Sequence, residues 1–440
     1  MLFDFIRTNF VKTLLTNKDN MDKFIIEGGN KLKGRVHISG AKNGALALMP
    51  ATILAPGTYH QKNTPNLRDV WTMSRLLSSM GIFCELNEND LFIDSSGISS
   101  FEAPYDHVKK MRASFYVLGP LVARFGEARV SLPGGCAWGP RPVDLHLKGL
   151  EKLGAEVTLE GGYVQAKAKR LIGAKIHLDV SSVGATGNIL MAATLAEGST
   201  LISNAALEPE ITALARMLVK MGAKINGIGT NLLEIEGVGE LHPVDEENIP
   251  DRIEAATFLI AAAMTKGTVE LENVNPYHLT SVLTKLEETG CKLDVNGNNI
   301  LLEMEDEPLP VDLTTAVYPG IPTDIQAQWL AYMLLANGTI KITDNIYQDR
   351  FKHVPELQRL GASIEIIENI AIVNGAKRLS GATVMSSDLR ASASLILAGL
   401  VTEGKTEVLR IYHIDRGYEN IESKLTKLGA SIHRVKTELF

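Results

Sequence analysis

Residues 172–240 read IGAKIHLDVSSVGATGNILMAATLAEGSTLISNAALEPEITALARMLVKMGAKINGIGTNLLEIEGVGE. IGAKIHLDV predicts a strand, and ATGNILMAATLA (185–196) a helix. STLISNA (199–205) predicts a second strand. EPEITALARMLVKMG (208–222) predicts an amphipathic helix that ends on glycine. AKINGIGTNLLEIEG (223–237) reads as two short strands joined by a turn. The unit is therefore βαβαββ.

The unit recurs along the chain. A signature L-x-x-(L/M)-G-(A/C) places its glycine at Gly81, Gly154, Gly222, Gly290, Gly361 and Gly429. The spacings are 73, 68, 68, 71 and 68. A second marker, an apolar run closed by glycine, falls at Gly57, Gly126, Gly198, Gly267, Gly338 and Gly404. Its spacings are 69, 72, 69, 71 and 66. Two independent markers with one period of about seventy predict six structural repeats.

The first helix of each unit is apolar nearly all round. The six are GALALMPATILA, ASFYVLGPLVAR, ATGNILMAATLA, EAATFLIAAAMT, IQAQWLAYMLLA and ASASLILAGLVT. A helix without a polar face is buried on all sides. Each run is about twelve residues, too short to span a bilayer. The expected class is α/β, with helices inside and strands outside. Six units exceed one compact core, so two inside-out α/β barrel domains of three units each are expected.

Composition fits this plan. Of 440 residues 45% are hydrophobic and only 6% aromatic, with 38 glycines. Small aliphatic side chains must fill the cores. A net charge of −7 argues against a surface that clamps nucleic acid. Residues 1–20 carry an Asp and broken apolar runs, and read as an extension rather than a signal peptide. Cys84, Cys136 and Cys291 are odd in number and far apart, which gives no disulfide framework and no zinc spacing. A reducing, cytoplasmic setting is expected. There is no Walker motif and no HExxH, and GVGELH (237–242) lacks the context of a dinucleotide fingerprint. No cofactor or metal is expected.

Chemistry gathers before the apolar helices. The segments are SGAKN (39–43), KKMRAS (109–114), SSVGAT (181–186), IPDRIE (249–254), IPTDIQ (321–326) and SSDLRAS (386–392). Four of them present a cation: Lys42, Arg112, Arg252 and Arg390. A cation at a helix start opposes the macrodipole, and an anionic ligand would satisfy both it and the free N–H groups. Local pairing is the alternative, as of Arg252 with Asp251 or Glu254. Asp324 has no basic residue within six positions. It reads either as a base for a substrate hydroxyl or as a plain N-cap. Cys136 sits in LPGGCAWGPRP, a loop with Arg141, and reads as a reactive thiol or a merely tolerated one. Cys84 and Cys291 read as structural. His413 and Asp415 would suit acid–base work, but no serine motif accompanies them and they read as a structural turn with an internal salt bridge; Arg416 beside them could face a cleft.

The ordered motifs MDKF (21–24), SGAKN, MRAS (111–114), LPGGC (132–136), RPVDLH (141–146), SVGAT (182–186), PDRIE (250–254), PTD (322–324), DLRASASL (388–395) and RIYHIDRGYE (410–419) carry a resemblance. From about Met21 to Val435 the chain resembles the UDP-N-acetylglucosamine enolpyruvyltransferases, or 1-carboxyvinyltransferases. That resemblance implies an active site in a cleft between the two domains. One domain would comprise residues 21–41 and 250–440, and the other, with the cysteine loop, residues 42–249. It implies transfer of the enolpyruvyl group of phosphoenolpyruvate to UDP-N-acetylglucosamine with loss of phosphate, by addition and elimination. It also implies roles for single residues. Cys136 would be the general acid and Asp324 the base. Lys42, Asn43, Arg141, Arg350, Arg390 and Arg416 would meet phosphoenolpyruvate, with Lys42 and Arg416 also serving catalysis. Arg112, Arg141, Pro142, Val143, Asp144, Leu145, Asp324 and Ile346 would meet the nucleotide sugar. A cytoplasmic monomer with these two small molecules as its only partners, no nucleic acid and no membrane, is the expectation. The shikimate-pathway enolpyruvyltransferases and a non-catalytic nucleotide-sugar binder are the rival readings. Some members carry a basic residue two positions before the SVG segment, where this chain has Val180.

Overall fold

The computed structural model describes residues 22–109, 111–132, 143–375 and 378–436. The extension at 1–20 and the loop with Cys136, Arg141 and Pro142 lie outside them. The described strands form six four-stranded sheets. The quoted unit shows the pattern. Lys175–His177 runs parallel to Ser199–Ser203. Leu232–Glu236 is antiparallel to Ser199–Ser203, and Lys224–Asn226 is antiparallel to it in turn. Four strands and two helices per unit match the βαβαββ plan.

The apolar helices lie inside. In Arg252–Met264 every residue is buried. Lys42–Ala51, Val183–Ala193, Thr323–Met333 and Leu389–Gly399 are buried along nearly their whole length. Alanine, serine and glycine along these helices let them approach closely. The second of the six departs from the expected single helix. It is a 3-10 segment, Arg112–Val117, followed by the helix Leu118–Phe125. Pro120 has no N–H to give to the preceding turn, so a new α-helix starts two residues before it and holds it in the first turn. The amphipathic helices close as expected. Gly81, Gly154, Gly222, Gly290, Gly361 and Gly429 all have φ between +90° and +109°, a region costly for other residues.

Buried apolar residues form two clusters. One runs from Phe24 to Val36 and Ile38, and again from Ile253 to Ile432. The other runs from Ala45 to Leu241. The strands do not follow the simple order of the repeat everywhere. Lys33–His37 precedes the Lys42 helix in sequence, yet it pairs with Thr268–Glu272 of the other cluster. Glu246–Glu247 precedes the Arg252 helix, yet it pairs with Thr58–Lys62. Lys23–Glu27 inserts between Lys405–Leu409 and Ser431–Val435. The chain therefore crosses between clusters twice, at 38–41 and 248–251. The crossings lie side by side. Gly40 bridges Pro250, Ala41 N donates to Ile249 O at 2.6 Å, and Asp251 N donates to Ser39 O at 2.9 Å. Only glycine fits at position 40, since a Cβ there would sit 1.7 Å from Asn63 O.

Candidate active site

Lys42 and Arg252 open their helices directly after the two crossings. Asp251 serves both helices. Its Oδ2 accepts the N–H of Lys42 at 3.0 Å, and its Oδ1 accepts those of Ile253 and Glu254 at 2.8 and 3.0 Å. An anionic ligand is therefore not needed to satisfy these N–H groups, because one carboxylate of the chain already accepts them. Asp388 caps the Leu389–Gly399 helix in the same way, through Arg390 N and Ala391 N.

Asp324 lies in the first turn of Thr323–Met333 and does not cap it; Pro322 is the N-cap residue. Its carboxylate instead takes Arg350 Nη2 at 2.7 Å and Arg390 Nη2 at 2.8 Å. The side chain is about a quarter exposed, at 26%. Burial pushes its carboxyl up. Arg390 and Arg350, with Lys42 further off, overcome that and hold it well below the ordinary carboxylate range. Arg390 Nη1 also donates to the Tyr418 hydroxyl at 3.2 Å, which meets Thr257 Oγ1 and Gln328 Nε2 at 2.8 and 3.1 Å.

Lys42 Nζ stands 3.6 Å from Asp69 Oδ2. Asp69 also accepts from Arg416 Nε at 2.9 Å. Burial lowers the ammonium pKa of Lys42; Asp69 and Asp324 oppose this, while Arg390 and Arg416 add to it. Lys42, Asp324, Arg390 and Arg416 are thus one electrostatic neighbourhood, and Arg350 joins it through Asp324. Asp69 was missed in the sequence. Its signal was legible: an acid in register with Met73, Leu76 and Leu77, on the buried face of Arg68–Ser79.

Other expectations are corrected. Arg252 pairs with Glu210, Nε to Oε1 at 3.3 Å, and not with Asp251 or Glu254. Asp251 is spent on the helix starts, and Glu254 binds Lys424 Nζ at 2.7 Å. His413 and Asp415 form a structural turn, but the salt bridge of Asp415 is not internal to it. Asp415 binds Arg434 at 2.6 Å. Burial drops His413 to about 4, its ring lying against Tyr412.

Asn43 follows Lys42, half-buried. Arg112 opens its 3-10 segment and acts on His146, which burial first, and Arg112 next, lower to about 3. His146 is buried beside Asn188, with Nδ1 3.0 Å from Nδ2. It anchors the turn made by Val143, Asp144 and Leu145, where Asp144 binds Lys148 at 3.4 Å. Ile346 is 40% exposed on the loop leading to Arg350. Cys84 and Cys291 are buried free thiols, and burial pushes Cys84 up to about 12. Among the described residues no helix is long and apolar enough to cross a membrane, and no cluster of acidic, His or Cys side chains is placed to hold a metal.

Known proteins are similar to this chain in sequence and in fold. The family model described as EPSP synthase (3-phosphoshikimate 1-carboxyvinyltransferase) matches residues 26–425. A protein of Chloroherpeton thalassium named UDP-N-acetylglucosamine 1-carboxyvinyltransferase is 58% identical over 94% of this chain and 97% of its own length. One of the same name from Chlorobium chlorochromatii is 56% identical over 96% of this chain and all of its own. Among solved structures, the enolpyruvyl transferase NikO from Streptomyces tendae superposes with a TM-score of 0.86, at 26% identity, covering 95% of this chain and all of that one. EPSP synthase from Acinetobacter baumannii shares the fold with a TM-score of 0.72, at 20% identity, over 94% of this chain and all of that one. With its six sheets, buried helices and Asp324 between two arginines, the chain belongs to the EPSP synthase family and, within it, to the UDP-N-acetylglucosamine 1-carboxyvinyltransferases.

Proposed function

We propose that the protein transfers the enolpyruvyl group of phosphoenolpyruvate to the 3-hydroxyl of UDP-N-acetylglucosamine and releases phosphate, the step that commits sugar nucleotide to peptidoglycan. The observation that carries this reading is the Asp324 carboxylate, held at 2.7 and 2.8 Å by Arg350 and Arg390 within electrostatic reach of Lys42. Two anionic substrates repel each other, and gathered cations offset that repulsion. Asp324 takes the proton of the attacking hydroxyl. The oxygen adds to the enol carbon while Cys136, on its loop, protonates the methylene. Loss of phosphate and of one methyl proton from the resulting ketal restores the double bond.

In the same reading Lys42, Asn43, Arg141, Arg390 and Arg416 face phosphoenolpyruvate. Arg112, Arg141, Pro142, Val143, Asp144, Leu145 and Ile346 face the nucleotide sugar. Arg350 has both terminal nitrogens engaged, by Thr323 and Asp324, and sides with the base. The chain divides into a domain of 21–41 with 250–440 and one of 42–249, in line with the two apolar clusters. Closing their cleft aligns the reactants and removes water. The reading places the enzyme in the cytoplasm as a monomer, in keeping with two free buried thiols.

The test is phosphate release from phosphoenolpyruvate with each of two acceptors. Release with UDP-N-acetylglucosamine and none with shikimate 3-phosphate is expected. The reverse preference, or no release by folded protein, would overturn the assignment.

A further inference from the structure

Asp344 has no part in the reaction just described, yet its surroundings are built around it. The residue follows the strand Thr339–Thr343 and is fully buried, at 0% exposure. Its carboxylate receives four donors. Oδ1 accepts from Thr315 Oγ1 at 2.8 Å, from Ile346 N at 3.0 Å and from Tyr347 N at 2.8 Å. Oδ2 accepts from Thr323 Oγ1 at 2.6 Å. Burial of so polar a group is tolerated only when its lone pairs are filled, as here.

The Thr323 bond reaches the active site. A hydroxyl has one proton and two lone pairs. Thr323 spends its proton on Asp344, which turns its lone pairs outward. One of these accepts Arg350 Nη1 at 2.9 Å. The other terminal nitrogen of Arg350 then meets Asp324 Oδ1 at 2.7 Å. A fork of two N–H groups held at both ends has one orientation. The backbone bonds to Ile346 and Tyr347 act on the other side. They fold residues 344–347 into a turn closed by its own carboxylate. That turn presents Ile346, and Arg350 N donates to Tyr347 O at 3.1 Å.

We propose that Asp344 is a positioning residue for the acceptor substrate: through Thr323 it orients the Arg350–Asp324 pair, and through two backbone amides it sets the turn that carries Ile346. The inference rests on the reading of Asp324 as the base. One buried carboxylate thereby ties the base to the wall on which the nucleotide sugar lies.

Asp344→Asn tests it with little change of shape. An amide cannot accept on both sides, so either the threonine hydroxyl or the turn loses its partner. Wild-type phosphate release is measured first; no turnover would overturn the reaction reading, and the relay with it. With wild type active, D344N is expected to lower kcat about tenfold and raise the KM for UDP-N-acetylglucosamine about tenfold. The KM for phosphoenolpyruvate should stay within about twofold. T323V is expected to lower kcat similarly, and T323S to restore it. The double variant D344N/T323V should fall no further in kcat than D344N alone. Unchanged kinetics in folded variants, an equal rise in both KM values, or additive losses would each overturn the relay. Should D344N fail to fold, T323V against T323S decides on kcat alone: loss with rescue supports the relay, and no loss overturns it.

Discussion

Asp324 is gripped by two guanidiniums, and a carboxylate so held has little appetite for a proton. General bases work best when their pKa lies near the working pH. The two facts are reconciled by competition. On the proposed reading phosphoenolpyruvate draws Arg390 toward itself while Arg350 stays fixed on Thr323 and Asp324, and the carboxylate that Arg390 leaves becomes more basic as the reactants assemble. Asp324→Asn keeps the shape and one acceptor for the arginines but cannot take the proton. We expect kcat to fall by roughly 10²–10⁴ with the fold retained, checked by phosphate release and circular dichroism. Unaltered turnover would remove Asp324 from the chemistry. The sequence isolates Asp324 well, because no local cation explains it. Arg350 is named there only through the resemblance, and its pairing with Asp324 is hidden, because it sits 26 positions away and is brought in by the turn after a strand. The sequence hides the double capping by Asp251 as well, since the two helices that it serves start 209 and 1 positions from it and meet only through the crossings.

At the scale of elements the period of about seventy carried most of the fold, because each glycine that marks it has a physical duty. The six glycines after the amphipathic helices share a left-handed backbone. Their surroundings differ, which permits a clean comparison. A Cβ added at Gly154 meets nothing within 4 Å, whereas one at Gly81 would lie 2.3 Å from Gly97 O and 2.8 Å from Ser99 Oγ. Gly154→Ala should therefore cost only the conformational term, about 1–2 kcal/mol. Gly81→Ala should cost that and a steric term of about 1–3 kcal/mol more. Urea unfolding of the two variants checks the order; equal midpoints would contradict it. The break of the second buried helix just ahead of Pro120 was also readable, from a proline inside an apolar run. The exchange of first strands between clusters was not. Lys33–His37 and Glu246–Glu247 are each a plausible opening strand for the helix that follows, and local pattern says nothing of the sheet a strand joins.

At the scale of the molecule, the clusters meet through polar groups beside the crossings. Glu419 accepts from Ser39 Oγ at 2.9 Å, from Asn66 N at 3.0 Å and from Asn89 Nδ2 at 3.1 Å. Arg416 reaches across to Asp69. Such contacts join two bodies without fusing their apolar cores. The paired crossings have a consequence for the order in which the chain acquires structure. Everything between them, residues 42–247, supplies all the strands of its own three sheets. The segment before them does not. Lys23 pairs with Val435 and Glu27 with Lys405, so the strand Lys23–Glu27 has no partner until residues 405–435 exist. During synthesis the middle of the protein can close while its beginning waits, since domains fold as units when their residues have emerged. On chains arrested with residues up to about 300 outside the ribosome, we expect a brief protease pulse to spare 42–249 and cut within 23–27. Equal cutting of both would refute this order. The strand at 23–27 is made early and used late, sealed in place between the strands at 405–409 and 431–435.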